Sequence, residues 1–229
     1  MKKLLTLLLL FSLVMGLFLP TATAMEGRFT DVSSEAWYYE GVSYVEEKGL
    51  MNGTTSEHFS PNTAVSRAMM VTVLWRLAGE PKLPEELGAW LYWDIPSGTY
   101  YELPAFWAKE QELMLGYSVP YDPNDAPGGL DVYLFRPDDA LTREQLATLL
   151  YRYAKWQGMD VGAEAAPTDF SDEAAVSPWA AEAMQWCIAK GLIRGTSQNG
   201  SLLLNPKGYT TRAQLATILL RLAELQKKA

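Results

Sequence analysis

The fold is decided by three stretches that align without gaps: Phe59-Ser-Pro-Asn-Thr-Ala-Val-Ser-Arg67, Phe135-Arg-Pro-Asp-Asp-Ala-Leu-Thr-Arg143 and Leu204-Asn-Pro-Lys-Gly-Tyr-Thr-Thr-Arg212. In each stretch proline precedes arginine by six positions, and a second arginine follows nine positions later, at Arg76, Arg152 and Arg221. Apolar residues between the two arginines recur with the period of an α-helix. Each stretch therefore predicts an extended segment that leads into a helix.

Residues that favour a helix start stand directly before the first arginines. Ser66, Thr142 and Thr211 occupy the position of an N-cap. Gln145 and Gln214 follow the two threonines at the spacing of a capping box, which the first copy lacks. The pattern predicts that the second and third of these helices have the better-fixed starts.

An earlier helix also occurs three times, and pairs of aromatic residues mark it. The two rings of a pair are seven residues apart, which places them on one face of a helix. Burial in a core is the commoner role for such rings, and the first ring of each pair is the one expected to stack on a sugar if any does. The pairs are Trp37 and Tyr44, Tyr100 and Trp107, and Trp179 and Trp186.

The chain divides into three helix–loop–helix units, at residues 26–80, 88–157 and 166–226, and the second unit contains a long loop insertion at 117–134. A helix pair of this size buries its own apolar face poorly, so the three units are expected to share one core in an all-α fold. Periodicity alone leaves open whether they close around a pseudo-threefold axis or form an open solenoid.

Composition excludes several classes of function. The formal charge of −8, with 19 Lys and Arg against 27 Asp and Glu, does not suit nucleic-acid binding, which needs clustered basic residues. One cysteine, Cys187, and one histidine, His58, leave no disulfide framework and little basis for a metal site or a catalytic triad. The sequence predicts no catalytic residue, no cofactor and no metal.

The first 24 residues are expected to be a secretory signal peptide. Lys2 and Lys3 form a positive start, Leu4 to Leu19 is an uncharged, mostly apolar run, and Ala22-Thr-Ala24 is a cleavage pattern. The apolar run is shorter than the roughly 20 residues of a membrane-spanning helix. The mature chain is therefore predicted to be secreted, with no membrane span after cleavage.

The motifs resemble the S-layer homology family, whose module opens with F-x-D-V, continues into a helix with an early tryptophan and ends in a T-R-A-E helix. The three units open with Phe29-Thr-Asp31-Val32, Tyr92-Trp-Asp94-Ile95 and Phe170-Ser-Asp172. The terminal motif reads S-R-A-M, T-R-E-Q and T-R-A-Q at 66–69, 142–145 and 211–214. The resemblance indicates three tandem modules and implies a pseudo-threefold, three-pronged helical bundle.

The resemblance also implies a function, which is noncatalytic anchoring in the cell wall or S-layer of a Gram-positive envelope. The implied partner is secondary cell-wall polysaccharide, typically carrying pyruvate ketals, held in grooves between adjacent repeats. A guanidinium can bind the ketal carboxylate with two parallel hydrogen bonds. A helix start adds free backbone N–H groups, which are expected to bind the same carboxylate. The ligand-binding candidates are Arg67, Arg143, Arg212, Gly53, Thr54, Gly195, Thr196, Trp37, Tyr100 and Trp179.

Other interpretations stand beside this one. The first arginines are expected to bind the ligand, so that their loss costs little stability, while Arg76, Arg152 and Arg221 are expected to be structural. Arg212 is predicted to lie at the most intact site, because the third unit keeps both its Gly-Thr loop and its capping box. Alternative functions are an envelope protein–protein adaptor with degenerate glycan grooves, or a small wall-modifying enzyme.

Overall fold

The structure is a computed structural model that describes residues 28–83, 92–119, 132–162 and 169–227. The predicted signal peptide lies outside these residues. Within them the chain forms six α-helices, four short strands and two short 3-10 helices, at Glu173–Ala175 and Pro178–Ala180. The elements in chain order are α1 (Tyr39–Glu47), α2 (Arg67–Leu77), α3 (Glu102–Glu110), β1 (Tyr117–Val119), β2 (Val132–Leu134), α4 (Arg143–Trp156), α5 (Ala181–Ala189), β3 (Thr196–Gln198), β4 (Ser201–Leu203) and α6 (Arg212–Gln226).

The all-α prediction is wrong, because the loops of the second and third repeats contain two-stranded antiparallel sheets. Strand β1 pairs with β2, and β3 pairs with β4. Asn199 and Gly200 join β3 to β4, and both have positive φ angles, of 51° and 78°. Asn-Gly is the strongest short hairpin signal, since a two-residue type I′ turn needs positive φ at both positions. The sequence predicted only helices here, because helical periodicity on either side of Asn199-Gly200 was the stronger pattern.

The predicted helix starts at the three arginines are confirmed. Ser66 accepts a hydrogen bond from the Met69 N–H as the cap of α2. Both predicted capping boxes are present, with Thr142 and Gln145 at α4 and with Thr211 and Gln214 at α6. The capping residues therefore fix the start of these helices as the sequence indicates.

Helices pack in pairs that join different repeats. Helix α1 packs against α6, α3 against α2, and α5 against α4. Each pair therefore combines the first helix of one repeat with the second helix of another, and the pairing of α1 with α6 joins the two ends of the described chain. The core that results is shared, with Trp107, Trp186 and Tyr153 among its largest buried side chains.

A ring of backbone hydrogen bonds closes the centre of the molecule. The Val65 N–H donates to the Thr210 carbonyl (2.8 Å), the Thr210 N–H to the Leu141 carbonyl (3.0 Å) and the Leu141 N–H to the Val65 carbonyl (2.9 Å). All three residues are buried and come from equivalent positions, directly before the capped helices. The three units therefore form a closed arrangement, and an open solenoid is excluded. Their exact boundaries, 26–80, 88–157 and 166–226, stay predictions.

Candidate functional site

Each aspartate of the opening motif holds the bend that precedes its repeat's second helix. Asp31 accepts hydrogen bonds from the backbone N–H groups of Phe59 (2.8 Å) and Ser60 (2.7 Å). Asp94 binds residues 135 and 136 in the same way, and Asp172 binds residues 204 and 205. The second residue of every bend has a positive φ of 50–57° without being glycine, so the carboxylate supports a costly backbone conformation.

The backbone N–H groups at the three helix starts are not free for a ligand. The N–H groups of Arg67 and Ala68 donate to the carbonyls of Asp139 and Pro137 in the next repeat. The first two N–H groups of α4 donate in the same way to the carbonyls of residues 208 and 206, and those of α6 donate to the carbonyls of residues 63 and 61. The expectation that these groups bind a carboxylate is therefore wrong, because contacts between repeats occupy them.

The first arginines themselves are buried and also join repeats. Arg212 donates from Nε to the Phe59 carbonyl (2.8 Å) and from Nη2 to the Asn52 carbonyl (2.5 Å). Arg67 donates from Nε and Nη2 to the carbonyls of residues 135 and 115. Arg143 makes one such bond within the described part of the chain, from Nε to the Leu204 carbonyl (2.8 Å). Burial lowers the pKa of all three guanidinium groups.

Three grooves lie between the repeats, and all three repeats contribute to each. One repeat supplies the loop and the second arginine, another supplies the first ring of an aromatic pair, and the remaining one supplies the helix-start arginine. The cavity volumes are about 330 Å³ for groove 1, 460 Å³ for groove 2 and 230 Å³ for groove 3. The defining residues are Gly195, Thr196, Arg194, Arg221, Trp37 and Arg143 in groove 1; Gly53, Thr54, Met69, Arg76, Tyr100 and Arg212 in groove 2; and Leu115, Gln145, Arg152, Trp179 and Arg67 in groove 3.

The aromatic pairs divide between core and surface. Trp107 and Trp186 are buried, and Tyr44 is partly buried against the core. The first ring of each pair projects into a groove and is mostly exposed: Trp37 66 %, Tyr100 61 % and Trp179 57 %. These rings are exposed and line the same grooves as arginines, and their stacking on a sugar stays a prediction.

The glycines of the loops are required by packing within their own repeats. A Cβ at Gly53 would overlap the Phe29 ring, and one at Gly195 would overlap the Phe170 ring. Thr54 contacts Ser60 across the loop, with 2.6 Å between their hydroxyl oxygens. These glycines therefore shape the rims of grooves 1 and 2 by letting the loop lie close to the opening motif.

The structure distributes the features of the third repeat over three grooves. Gly195 and Thr196 lie in groove 1, Arg212 in groove 2 and Trp179 in groove 3. The prediction that Arg212 lies at the most intact site was therefore based on residues that line different grooves. Groove 3 differs further, because Tyr117 replaces the loop threonine. The Arg67 guanidinium carbon lies 5.0 Å from the ring centroids of both Tyr117 and Phe135.

The sequence reasoning missed part of the groove lining. Arg76, Arg152 and Arg221 each donate to a loop carbonyl of their own repeat, as structural residues would, and each also lines a groove. Their repeated nine-residue spacing from the first arginines was the signal. Arg194 gave no repeat signal, because the other two loops have Asn52 and Leu115 at this position.

Other reactive groups lie apart from the grooves. Cys187 is fully buried, and burial raises the pKa of its thiol. His58 lies in a loop, where its ring is 3.3 Å from the Thr55 hydroxyl. In the part of the chain that the structure describes, no group of three or more His, Cys, Asp or Glu side chains is placed to hold a metal ion. In the same residues no helix has the length and apolar character needed to cross a membrane.

Comparison with known proteins identifies two regions. Residues 28–69 and 169–216 match the S-layer homology domain, a cell-wall anchoring module that binds cell-wall polymers. The chain is 26 % identical over 214 residues to the surface-layer 125 kDa protein of Lysinibacillus sphaericus, covering 93 % of this chain and 16 % of that protein. It is 26 % identical over 225 residues to an endoglucanase of Bacillus sp. (strain KSM-635), covering 95 % and 22 %. The chain thus spans less than a quarter of either relative, and the similarity indicates association with the cell surface.

Proposed function

From the S-layer homology of residues 28–69 and 169–216, we propose that this chain is a noncatalytic cell-wall anchor made of three tandem modules. It is exported and binds an anionic secondary cell-wall polysaccharide whose pyruvate-ketal carboxylates enter the grooves. Residues 88–157, which lie between the two matched regions, are the second module in this proposal. Their described part includes Asp94, which binds the bend before α4, the capped helix α4 itself and residues that line every groove.

The observation that carries the proposal is the same pairing in all three grooves, an exposed aromatic ring beside arginines. A pyranose presents an apolar face, which suits a ring such as Trp37. A carboxylate fixed beside that sugar suits a guanidinium, which binds carboxylates with two parallel hydrogen bonds. The two side chains come from different repeats, so that ligand binding in a groove requires the closed fold.

The charge of the chain is consistent with local recognition. The net charge of −8 repels a polyanion at long range, while salt screens that repulsion beyond about 10 Å. Close contacts with arginines then determine binding. We expect affinity to depend on the grooves and to change little when charges elsewhere on the surface are changed.

The proposal is tested by replacing Trp37 with alanine in the full chain. We expect binding to purified, polymer-bearing walls to weaken by about two- to tenfold, because an aromatic contact contributes about 0.5–1.5 kcal/mol. Trp37 is mostly exposed, so the thermal midpoint is expected to change little. Co-sedimentation at increasing wall concentration measures the affinity.

Trp93→Ala is the matched control, because Trp93 is 60 % exposed and lines none of the three grooves. It should bind walls as the unchanged chain does. Equal weakening by Trp37→Ala and Trp93→Ala, or no weakening by either, would contradict a ligand site in groove 1.

A further inference from the structure

Groove 1 concentrates positive charge more than the other two grooves do. Arg143, Arg194 and Arg221 line it, whereas grooves 2 and 3 each have two arginines. No aspartate or glutamate is among the described residues that line groove 1. Within the described part of the chain, none of the three arginines forms an ion pair.

The three guanidinium groups of groove 1 also act on one another. Burial lowers the pKa of Arg221, and the positive charges of Arg194 and Arg143 lower it further, while Glu224 opposes them. Like charges held together cost free energy unless an anion compensates them. Groove 1 is therefore expected to bind an anion that compensates the positive charges of these three arginines.

Arg143 has more hydrogen-bonding capacity left than its equivalents. Its Nε donates to the Leu204 carbonyl, and neither Nη1 nor Nη2 has a hydrogen-bond partner among the described residues. In groove 2, Arg212 uses Nε and Nη2 on carbonyls, and its Nη1 lies 4.0 Å from the Met69 sulfur. Among the described residues, Arg194 donates from Nε alone, to the Gly191 carbonyl (3.2 Å). Arg143 and Arg194 thus each have guanidinium N–H groups that donate to none of the described residues.

We propose that the ligand unit bound in groove 1 carries two negative charges, the ketal carboxylate and a second anionic group beside it. Arg143 and Arg221 bind the first charge, and Arg194, which only the third repeat supplies, binds the second. This inference rests on the proposed function for the nature of the polymer, and it adds that groove 1 distinguishes doubly from singly charged ligands. Groove 2, with Asn52 in place of Arg194, does not make this distinction.

The test uses methyl glucoside 6-phosphate and methyl glucoside 6-sulfate at pH 8, which have nearly the same shape and carry about two and about one negative charges. We expect the full chain to bind the phosphate at least about tenfold more tightly than the sulfate in calorimetric titration, since only the phosphate carries the second negative charge that Arg194 binds. Equal affinities for the two probes would overturn the proposal.

Arg194→Asn identifies the residue responsible, and it copies the side chain found in groove 2. We expect this variant to bind the sulfate within about threefold of the unchanged chain and to lose the preference for phosphate. Arg28→Asn, at an exposed arginine that is not among the described residues lining the three grooves, is the control and should keep the preference. An Arg194→Asn variant that keeps the preference, or that weakens both probes equally, contradicts the assignment.

The two proposals fail in different ways. A chain that prefers phosphate but does not bind walls contradicts the proposed function and leaves the charge preference standing. A chain that binds walls through Trp37 but does not distinguish the two probes contradicts the charge preference alone. Circular dichroism of each variant separates a loss of ligand contacts from a loss of fold.

Discussion

The isolated first repeat, residues 26–80, is expected to be unfolded in water, whereas the full chain melts in one cooperative transition. Its two helices, α1 and α2, have nine and 11 residues, and isolated helices of this length are marginal in water. Their packing partners, α6 and α3, lie outside the fragment. The N–H groups of Arg67 and Ala68 also lose the carbonyls to which they donate in the second repeat.

Far-UV circular dichroism and a thermal melt of the fragment measure this directly. We expect a weak helical signal and no sigmoidal transition, while the full chain gives both. The same reasoning predicts that residues 26–157 are poorly folded, since this fragment lacks the partners of α1 and α4. A single repeat that melts cooperatively would contradict a core shared among the repeats.

Replacing Arg212 with alanine is expected to destabilise the chain by about 3 kcal/mol or more. The change leaves the carbonyls of Phe59 and Asn52 without their charged donor, and each such hydrogen bond contributes about 1.5–3 kcal/mol. For a chain of this size the thermal midpoint should fall by about 6–12 °C. Arg212 therefore joins the third repeat to the first, and its structural role is larger than its motif position indicates.

Arg152→Ala is the comparison, because Arg152 is exposed and makes one hydrogen bond, to the Leu113 carbonyl. Because its guanidinium is exposed and water weakens the interaction, the change is expected to cost about 1 kcal/mol or less in the free energy of unfolding. Scanning calorimetry and urea unfolding of both variants give the difference in the free energy of unfolding. Equal costs for the two variants, or a small cost for Arg212→Ala, would show that the contacts between repeats contribute little.

The sequence predicts the local structure of the repeats better than their assembly. Capping boxes at Thr142 and Thr211 act within four residues, so their pattern is complete in the sequence. The hairpin at Asn199 was equally local, and it was missed only because helical periodicity dominated the interpretation. These features follow from short-range chemistry, which is why repeat alignment finds them.

The partners of the arginines could not be predicted in the same way. Arg212 binds a carbonyl 153 positions earlier in the chain, and the pairing of α1 with α6 joins the two ends of the fold. A guanidinium donates hydrogen bonds to carbonyl and carboxylate oxygens alike, so the residue type does not indicate which acceptor it binds. Trp37 and Arg143 therefore share a groove for a reason that only the closed arrangement shows.

The most direct test of cell-wall anchoring is co-sedimentation of the full chain with purified bacterial walls before and after extraction of the secondary polymer. The account predicts that the chain sediments with intact walls and stays in the supernatant with the extracted peptidoglycan. Adding the extracted polymer should also release the chain from intact walls. Equal sedimentation with intact and extracted walls would contradict it.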